Sequence, residues 1–399
     1  MSGPVTKLSF WGVRGSTPTV DPATWRYGGN TPCLELTAPD GTQFILDCGT
    51  GLRVLGSRWT APVRPSSAEQ PASGNNHPET HILVTHYHWD HIQGVPFFAP
   101  LYAENNAFHF YSFRSKHLGR DSLKQVFETQ MATPYFPVNM SAMVAKKKFM
   151  EISGGDTFLV GENKVTARFI NHPQGCLGYR IETPGGTVVY ATDNEPGDPE
   201  LDKELLKLVD GADIFINDAQ YTPEQLATTR KGWGHSSWHE GVGVAREAGA
   251  KTLVLFHHDP DATDRMVDGL LRQAREEFDS VFAASEGMVI KLGSTDGTLE
   301  AHMPVTRTAL RRETQFRAKV TGITEGGHTF EEETVVHDLA LQGALLSMAH
   351  CPRLQSELQI TMETPGTTGP KVMKLRGYVV RIDANQESGH SAVGVVFTE

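Results

Sequence analysis

A mixed α/β domain followed by a small all-β barrel is the architecture the sequence predicts. Three observations carry it. From residue 158 short apolar runs of strand length return and then alternate with stretches of helical periodicity up to about residue 300. Ser294-Thr295-Asp296-Gly297 interrupts that pattern with turn-forming residues, which marks a boundary. Beyond it strand signals follow one another with almost no helix, as in a β-barrel. The expected domains are 1–300 and 305–399.

The elements follow in order. Lys7-Leu8-Ser9-Phe10-Trp11 reads as a first strand, and Cys33–Thr37 and Gln43–Asp47 flank the turn Pro39-Asp40-Gly41 as a hairpin. Residues 61–79, rich in Pro, Ser and Asn, read as an exposed loop. His81–Thr85 is a β-rich run. A mixed insert from 97 to 150 contains Gln130–Pro137, whose aromatics and prolines either cover a pocket or pack on the core. Strands then fall at Phe158–Val160, Val165–Ile170, Tyr179–Ile181 and Val188–Ala191. Leu201, Leu205, Leu208 and Val209 mark one helix face, Ile214–Ile216 a strand, Trp238–Ala250 a helix and Leu253–Phe256 a strand. Residues 262–279 are amphipathic through Met266, Leu270, Leu271 and Ala274, and Val289-Ile290 closes the domain. Short strands are expected at Ala318–Val320, Thr334–Val336, Ala344–Leu346, Leu358–Thr361, Tyr378–Arg381 and Val393–Phe397.

At 399 residues the chain has ample material for two cores. It holds no run of about 18 apolar residues, and its first residues lack a signal-peptide pattern, so a cytoplasmic protein with no membrane partner is expected. Cys33, Cys48, Cys176 and Cys351 are scattered, which fits free thiols. Of the net charge of −11, residues 1–300 carry −10. An acidic catalytic region is a poor match to long nucleic acid, whereas a small anionic substrate is compatible with bound divalent cations. Homo-oligomerisation stays open.

His86-Tyr87-His88-Trp89-Asp90-His91 packs four metal-ligand side chains into six residues directly after a strand. In the extended part His86 and His88 point to one side and can share an ion, while the following turn can swing Asp90 and His91 toward a second. Such a donor set suits zinc, and manganese or iron would accept it. Further donors follow strand runs: His172 after Phe169-Ile170, Asp193 after Val188–Ala191, and His257 and His258 after Leu253–Phe256.

His86, His88, Asp90 and His91 match the HxHxDH motif without a gap, and in this the chain resembles the metallo-β-lactamase superfamily. The resemblance implies a four-layer αββα sandwich with two divalent metals at one edge. His86, His88 and His172 would hold the first metal; Asp90, His91 and His257 the second; Asp193 would bridge them. His258 is expected to support the site from outside, as is Asp47 at the start of Asp47-Cys48-Gly49-Thr50-Gly51. A hydroxide held between two divalent ions is a nucleophile at neutral pH, so hydrolysis is the implied chemistry. Gly234-His235-Ser236-Ser237 resembles an element of the RNase Z and phosphodiesterase branch, which makes His235, with Asp90, the candidate catalytic group. The bridging Asp193 sets the chain apart from the best-known lactam-cleaving branch. Phe10–Pro18 and Tyr27-Gly28-Gly29-Asn30-Thr31 are similar to members that cleave cyclic phosphates. Asn30 is a candidate amide donor to phosphate, and Asp218 and Tyr221 are candidate pocket residues. The implied substrate is a cyclic nucleotide or another small cyclic phosphate. A thioester or other ester is the alternative.

Residues 305–399 resemble a PilZ domain through Arg307-Thr308-Ala309-Leu310-Arg311, Asp338-Leu339-Ala340-Leu341-Gln342-Gly343 and the late strand Gly377–Arg381. The resemblance implies cyclic di-GMP as a partner, with Arg307, Arg311, Asp338 and Gly343 as candidate nucleotide-binding residues. Ala340 stands where the family's motif has serine. A signalling protein with little catalytic activity is therefore a further reading.

Overall fold

The computed structural model describes residues 3–60, 79–118, 122–293, 300–302, 312–340, 343–364, 371–385 and 390–398. It divides into two compact units, 1–300 and 301–399. The loop expected at 61–79 lies almost wholly outside the described residues, as do Ser294–Gly297, Arg307 and Arg311.

Unit 1 is built on two sheets. In the first, Val289–Leu292, Thr6–Gly12, Cys33–Thr37, Gln43–Leu46, Thr80–Leu83, Ala107–Phe113 and Lys146–Ile152 lie side by side in that order. The second orders Val281–Ala283, Leu253–Phe256, Ile214–Asp218, Gly186–Ala191, Cys176–Thr183, Asn163–Ile170 and Thr157–Val160. Alternation along the strands sorts the side chains into layers. Ile45, Ile82, Val84, Phe108 and Phe110 pack against Leu52 and Leu55 of helix Gly51–Thr60 and Leu123 and Phe127 of helix Ser122–Gln130. On the second sheet Val189, Phe215, Leu253 and Leu255 pack against helices Pro199–Val209, Trp238–Glu247 and Asp264–Glu277. The alternate positions meet between the sheets, where Tyr111 stacks on Phe158 at 4.9 Å and Tyr190 abuts Phe256 at 5.6 Å. This is the four-layer αββα sandwich that the sequence motif implies.

The mixed insert at 97–150 joins the sandwich itself. It supplies two strands of the first sheet, Ala107–Phe113 and Lys146–Ile152, and one helix. Lys146-Lys147-Lys148 hides its strand from a hydrophobicity reading because the strand is the sheet's edge, where lysines block further pairing. Phe136 packs on the core, while Tyr135 is exposed.

Strand direction assembles the site. Gly186–Ala191, Ile214–Asp218 and Leu253–Phe256 are parallel, with Ala191 opposite Asn217 and Asp218 opposite Phe256, so Asp193, Asp218 and His257 reach one rim. Gln43–Leu46 and Thr80–Leu83 are parallel with Leu46 opposite Leu83, which places Asp47 and His86 together.

Unit 2 is a closed barrel in the order Arg312–Ile323, Thr329–Ala340, Gly343–Met348, His390–Phe397, Lys371–Asn385, Glu357–Thr364. Its first, second and fifth strands are longer than the short runs expected. Bulges between Glu313 and Phe316, Val336 and Asp338, and Val379 and Arg381 break the alternation that a sequence reading follows, while bending the strands for closure. Val320, Val336, Leu346, Leu358, Ile360, Val379 and Val393 fill its core. Among the described residues no helix is long and apolar enough to cross a membrane.

Candidate metal centre

Seven donor side chains converge at the rim. The ligand atoms of His86, His88 and His172 lie within 4.8 Å of one another, as do those of Asp90, His91, Asp193 and His257. Asp193 faces both groups. Its Oδ1 is 3.8 Å from His86 Nε2 and 4.0 Å from His172 Nε2, while its Oδ2 is 3.3 Å from both His91 Nε2 and His257 Nε2.

Hydrogen bonds on the far side of each ring fix which nitrogen faces inward. His91 Nδ1 donates to Asp47 at 2.8 Å, His257 Nδ1 to Gln220 Oε1 at 2.8 Å and His172 Nδ1 to the Gly234 carbonyl at 2.7 Å. His86 Nδ1 donates to Thr85 Oγ1 at 3.1 Å, whose own hydrogen goes to Asp47. Each Nε2 of these four rings is then a lone pair aimed into the cluster. Those of His91 and His257 stand 3.2 Å apart, and His172 Nε2 is 3.1 Å from His88 Nδ1. His86 Nε2 is buried with no hydrogen-bond partner. Lone pairs in a buried, carboxylate-lined space repel unless a cation lies between them, so the donor set fits divalent metal ions.

The electrostatics agree. Burial would raise Asp90 and Asp193, yet His91 and His257 hold both carboxyls well below their ordinary range. Burial would lower His91, yet Asp193, Asp90 and Asp47 push it well above. Burial pushes His86 well below its ordinary value and His172 down to about 4. Acidic groups thus favour a positive charge at His91, which either a proton on Nε2 or a divalent cation at its lone pair would supply.

Asp193, His257 and Asp47 all adopt left-handed backbone conformations, with φ of 56°, 57° and 59°. Each sits just past a strand, and the turn redirects its side chain into the rim. Asp47 is buried and accepts from Thr85 N at 2.7 Å and Tyr190 Oη at 2.9 Å besides His91. It therefore orients ligands of both groups, through His91 directly and through Thr85 to His86. Close approaches need glycine. A Cβ on Gly15 would lie 2.3 Å from His257 Nδ1, and one on Gly234 2.4 Å from His172 Nδ1.

His235 is buried beside the metal donors. Its Nδ1 is 2.7 Å from Asp218 Oδ2, and its ring stacks on His257 at 5.0 Å and meets Tyr221 edge-on at 5.6 Å. Burial opposes its charge, but Asp218, Asp193 and Asp90 outweigh it and raise His235 to about 9. Ser237 caps helix Trp238–Glu247 and so fixes the chain just after it. His235 lines a cavity of about 440 Å³ with Asp90, Asp193, His88, Ser16 and Trp89. A second cavity of about 330 Å³ shares Tyr87, His88 and Gln174 with the first.

Other sequence candidates take different places. Asn30 is not free to serve a phosphate: its Nδ2 donates to Glu286 at 2.9 Å, and its carbonyl accepts from Val13 and Arg14. His258 turns away from the cluster, its Nε2 on the Ala284 carbonyl at 2.8 Å. Asp218 holds His235 rather than lining the cavity. Asp338 and Gly343 lie on adjacent barrel strands. Sequence reasoning missed Gln220, which orients His257, and Glu195, which accepts from Gly232 N and Gly234 N at 2.6 and 2.7 Å and so holds the loop before His235. It also gave no role to Ser16, whose N–H donates to Asp90 at 2.7 Å. Gln220 and Glu195 stand two residues from Asp218 and Asp193, and that proximity is their one sequence signal.

Comparison with known proteins gives the same architecture. Residues 42–258 match the family described as the beta-lactamase superfamily domain. The ribonuclease Z of Haloarcula marismortui is 23% identical over 334 residues, covering 71% of this chain and 95% of that protein. Among solved structures, the metallo-beta-lactamase fold protein YhfI from Bacillus subtilis aligns with a TM-score of 0.50 at 20% identity, covering 72% of this chain and 99% of its own. A diphosphatase from the PhnP family aligns with a TM-score of 0.51 at 16% identity, covering 72% and 97%.

Proposed function

The chain belongs to the beta-lactamase superfamily as a metal-dependent hydrolase, and from that premise we propose that it is a dinuclear phosphodiesterase acting on a cyclic nucleotide or other small cyclic phosphate. The observation that carries this reading is His235, which is held by Asp218 and lines the same cavity as Asp90, Asp193 and His88.

His86, His88 and His172 would hold one ion and Asp90, His91 and His257 the other, with one oxygen of Asp193 toward each. Zinc suits these donors, and manganese or iron would accept them. Bound divalent ions supply a nucleophile at neutral pH and polarise the oxygen of the group under attack. The chain's own residues do the rest. Asp218 accepts the hydrogen bond of His235 Nδ1–H and favours the charged ring, which leaves Nε2–H to deliver a proton to the departing alkoxide. Gln220 and Asp47 keep His257 and His91 from rotating. Relatives from Haloarcula marismortui and Limosilactobacillus fermentum bear the name ribonuclease Z, which favours phosphodiesters over thioesters and makes RNA the second reading.

The test is turnover by zinc- or manganese-loaded protein of bis(p-nitrophenyl) phosphate, a cyclic-nucleotide panel, a structured RNA and a thioester. Phosphodiester cleavage with cyclic nucleotides preferred over RNA is expected. Thioester cleavage alone would overturn the reading.

For the barrel the reading is a regulatory module sensing cyclic di-GMP, supported by the sequence pattern around Arg307 and Arg311 and weakened by the missing hydroxyl at Ala340. Titration with cyclic di-GMP, with binding lost in Arg311→Ala, is the expected result. No binding would leave a docking or dimerisation barrel.

A further inference from the structure

The smaller cavity begins at His86 and His88, two of the candidate metal donors, and runs away from them among residues with no part in the metal centre. Phe113, Leu118, Val126 and Pro173 give it apolar walls, while Ser115 and His117 place polar groups among them. Tyr87 and His88 line both cavities, so the two adjoin and one ligand can extend from the larger into the smaller. Tyr87 is held in place: its hydroxyl donates to the Phe113 carbonyl and its ring packs on Phe113 at 5.1 Å.

The third shared residue is Gln174. It is an exposed residue in the left-handed region, at φ 70°, between Pro173 and Gly175, two positions after His172. Among the described residues no hydrogen bond occupies its amide. Strain at a non-glycine residue of this kind is retained where the surroundings have a use for the side chain. The loop that carries a metal donor therefore also carries a free amide to the junction of the two cavities.

On the phosphodiesterase reading, we propose that the smaller cavity is the subsite for the nucleobase of a nucleoside phosphodiester, with Gln174 as a specificity-determining residue at its entrance. A base has apolar faces and hydrogen-bonding edges, which matches apolar walls with a few polar groups. A sugar lacks the apolar faces, and an acyl chain has no use for Ser115, His117 or the Gln174 amide. At about 330 Å³ the cavity lies at the small end of ligand sites, enough for one ring system and not for a folded strand.

Two esters with the same leaving group isolate the subsite: thymidine 5′-(p-nitrophenyl phosphate) and methyl p-nitrophenyl phosphate. The expected result is a kcat/KM about ten-fold or more in favour of the nucleoside ester, as one stacked base provides. Val126→Trp, which fills the cavity, brings that ratio to near one, and the exposed Gln174→Ala lowers it. A binding arm uses calorimetry on protein without added metal: AMP binds more tightly than ribose 5-phosphate, and Val126→Trp removes the difference. Circular dichroism checks that the variant folds; Gln174→Ala decides if it does not. Equal kcat/KM for the two esters together with equal affinities for the two ligands overturns the subsite, as does a preference that survives both substitutions. Failure to cleave either ester removes the phosphodiesterase reading instead, and the AMP comparison still decides whether a base binds here.

Discussion

Replacing His235 by alanine separates two services that an imidazole can perform in phosphodiester cleavage. With Nδ1 on Asp218 at 2.7 Å and the ring raised to about 9, His235 carries hydrogen on both nitrogens near neutral pH, so Nε2 has a proton to give. A positioned general acid contributes about 10²–10⁴-fold, or roughly 3–5 kcal/mol of barrier. That help matters only when the departing oxygen is a poor leaving group. The ribose alkoxide released from a cyclic nucleotide is one, and p-nitrophenolate is not. His235→Ala is therefore expected to lower kcat on a cyclic nucleotide by about 10²–10⁴-fold and on bis(p-nitrophenyl) phosphate by less than about 10-fold. Both are measured by steady-state kinetics on one preparation of determined metal content. An equal loss on the two substrates would refute proton delivery to the leaving group and assign His235 to the phosphoryl oxygens instead. The pH profile supplies a second reading. The protonated ring is the active form, so activity on the cyclic nucleotide persists below the His235 value and falls as pH rises through it. Cations on Asp193 and Asp90 offset the contribution of those carboxylates and shift the limb below about 9, while the contribution of Asp218 remains. Asp218→Asn removes that contribution and moves the limb further toward acid.

Adding zinc to stripped protein at about 100 times its Kd is expected to stabilise unit 1 by about 2.7 kcal/mol, a Tm rise of roughly 4 °C by calorimetry. No rise would count against a metal in this cluster. Because Asp193, Asp90 and Asp47 hold a proton on His91 well above its ordinary range, zinc affinity should keep climbing as pH increases through neutrality; a plateau above pH 6.5 would contradict that competition. Asp47→Asn keeps a residue that tolerates φ near 59° but sets an N–H₂ against the donors of Thr85, Tyr190 and His91. Its expected cost is about 10–100-fold in metal affinity, read by competition with a chromophoric chelator. Gly15→Ala would put a methyl 2.3 Å from His257 Nδ1. The expected outcome is one ion fewer per chain by elemental analysis with the barrel intact, and an unchanged metal content would show that the loop can yield.

The candidate site was legible in the sequence where its residues are contiguous or terminate apolar strands. His86, His88, Asp90 and His91 form one string, and Asp193 and His257 follow runs that pair in parallel. The alternation of strands and helices after residue 158 was legible for the same reason, since period determines which face is buried. What stayed hidden depends on distant partners. Asn30 looks like a free amide until Glu286, 256 residues away, is beside it. Gln220 and Glu195 are ordinary polar residues in sequence, and only the fold brings them to His257 and to the loop before His235.

Backbone strain was equally invisible, and it bears on function more directly than any of these. Asp193, His257 and Asp47 occupy a region of φ that glycine usually marks, yet none is glycine. Each such residue costs on the order of 1 kcal/mol or more. All three leave strands at the rim, and each either offers an atom to the cluster or holds a residue that does. A chain leaving a strand in the ordinary extended conformation continues along the strand direction with its side chains still set on the two faces of the sheet. The left-handed turn instead redirects it sideways, so that donors from both sheets meet over one small volume. The strain is thus the geometric condition for a two-sided carboxylate at Asp193, and cation binding there would be strong enough to offset it.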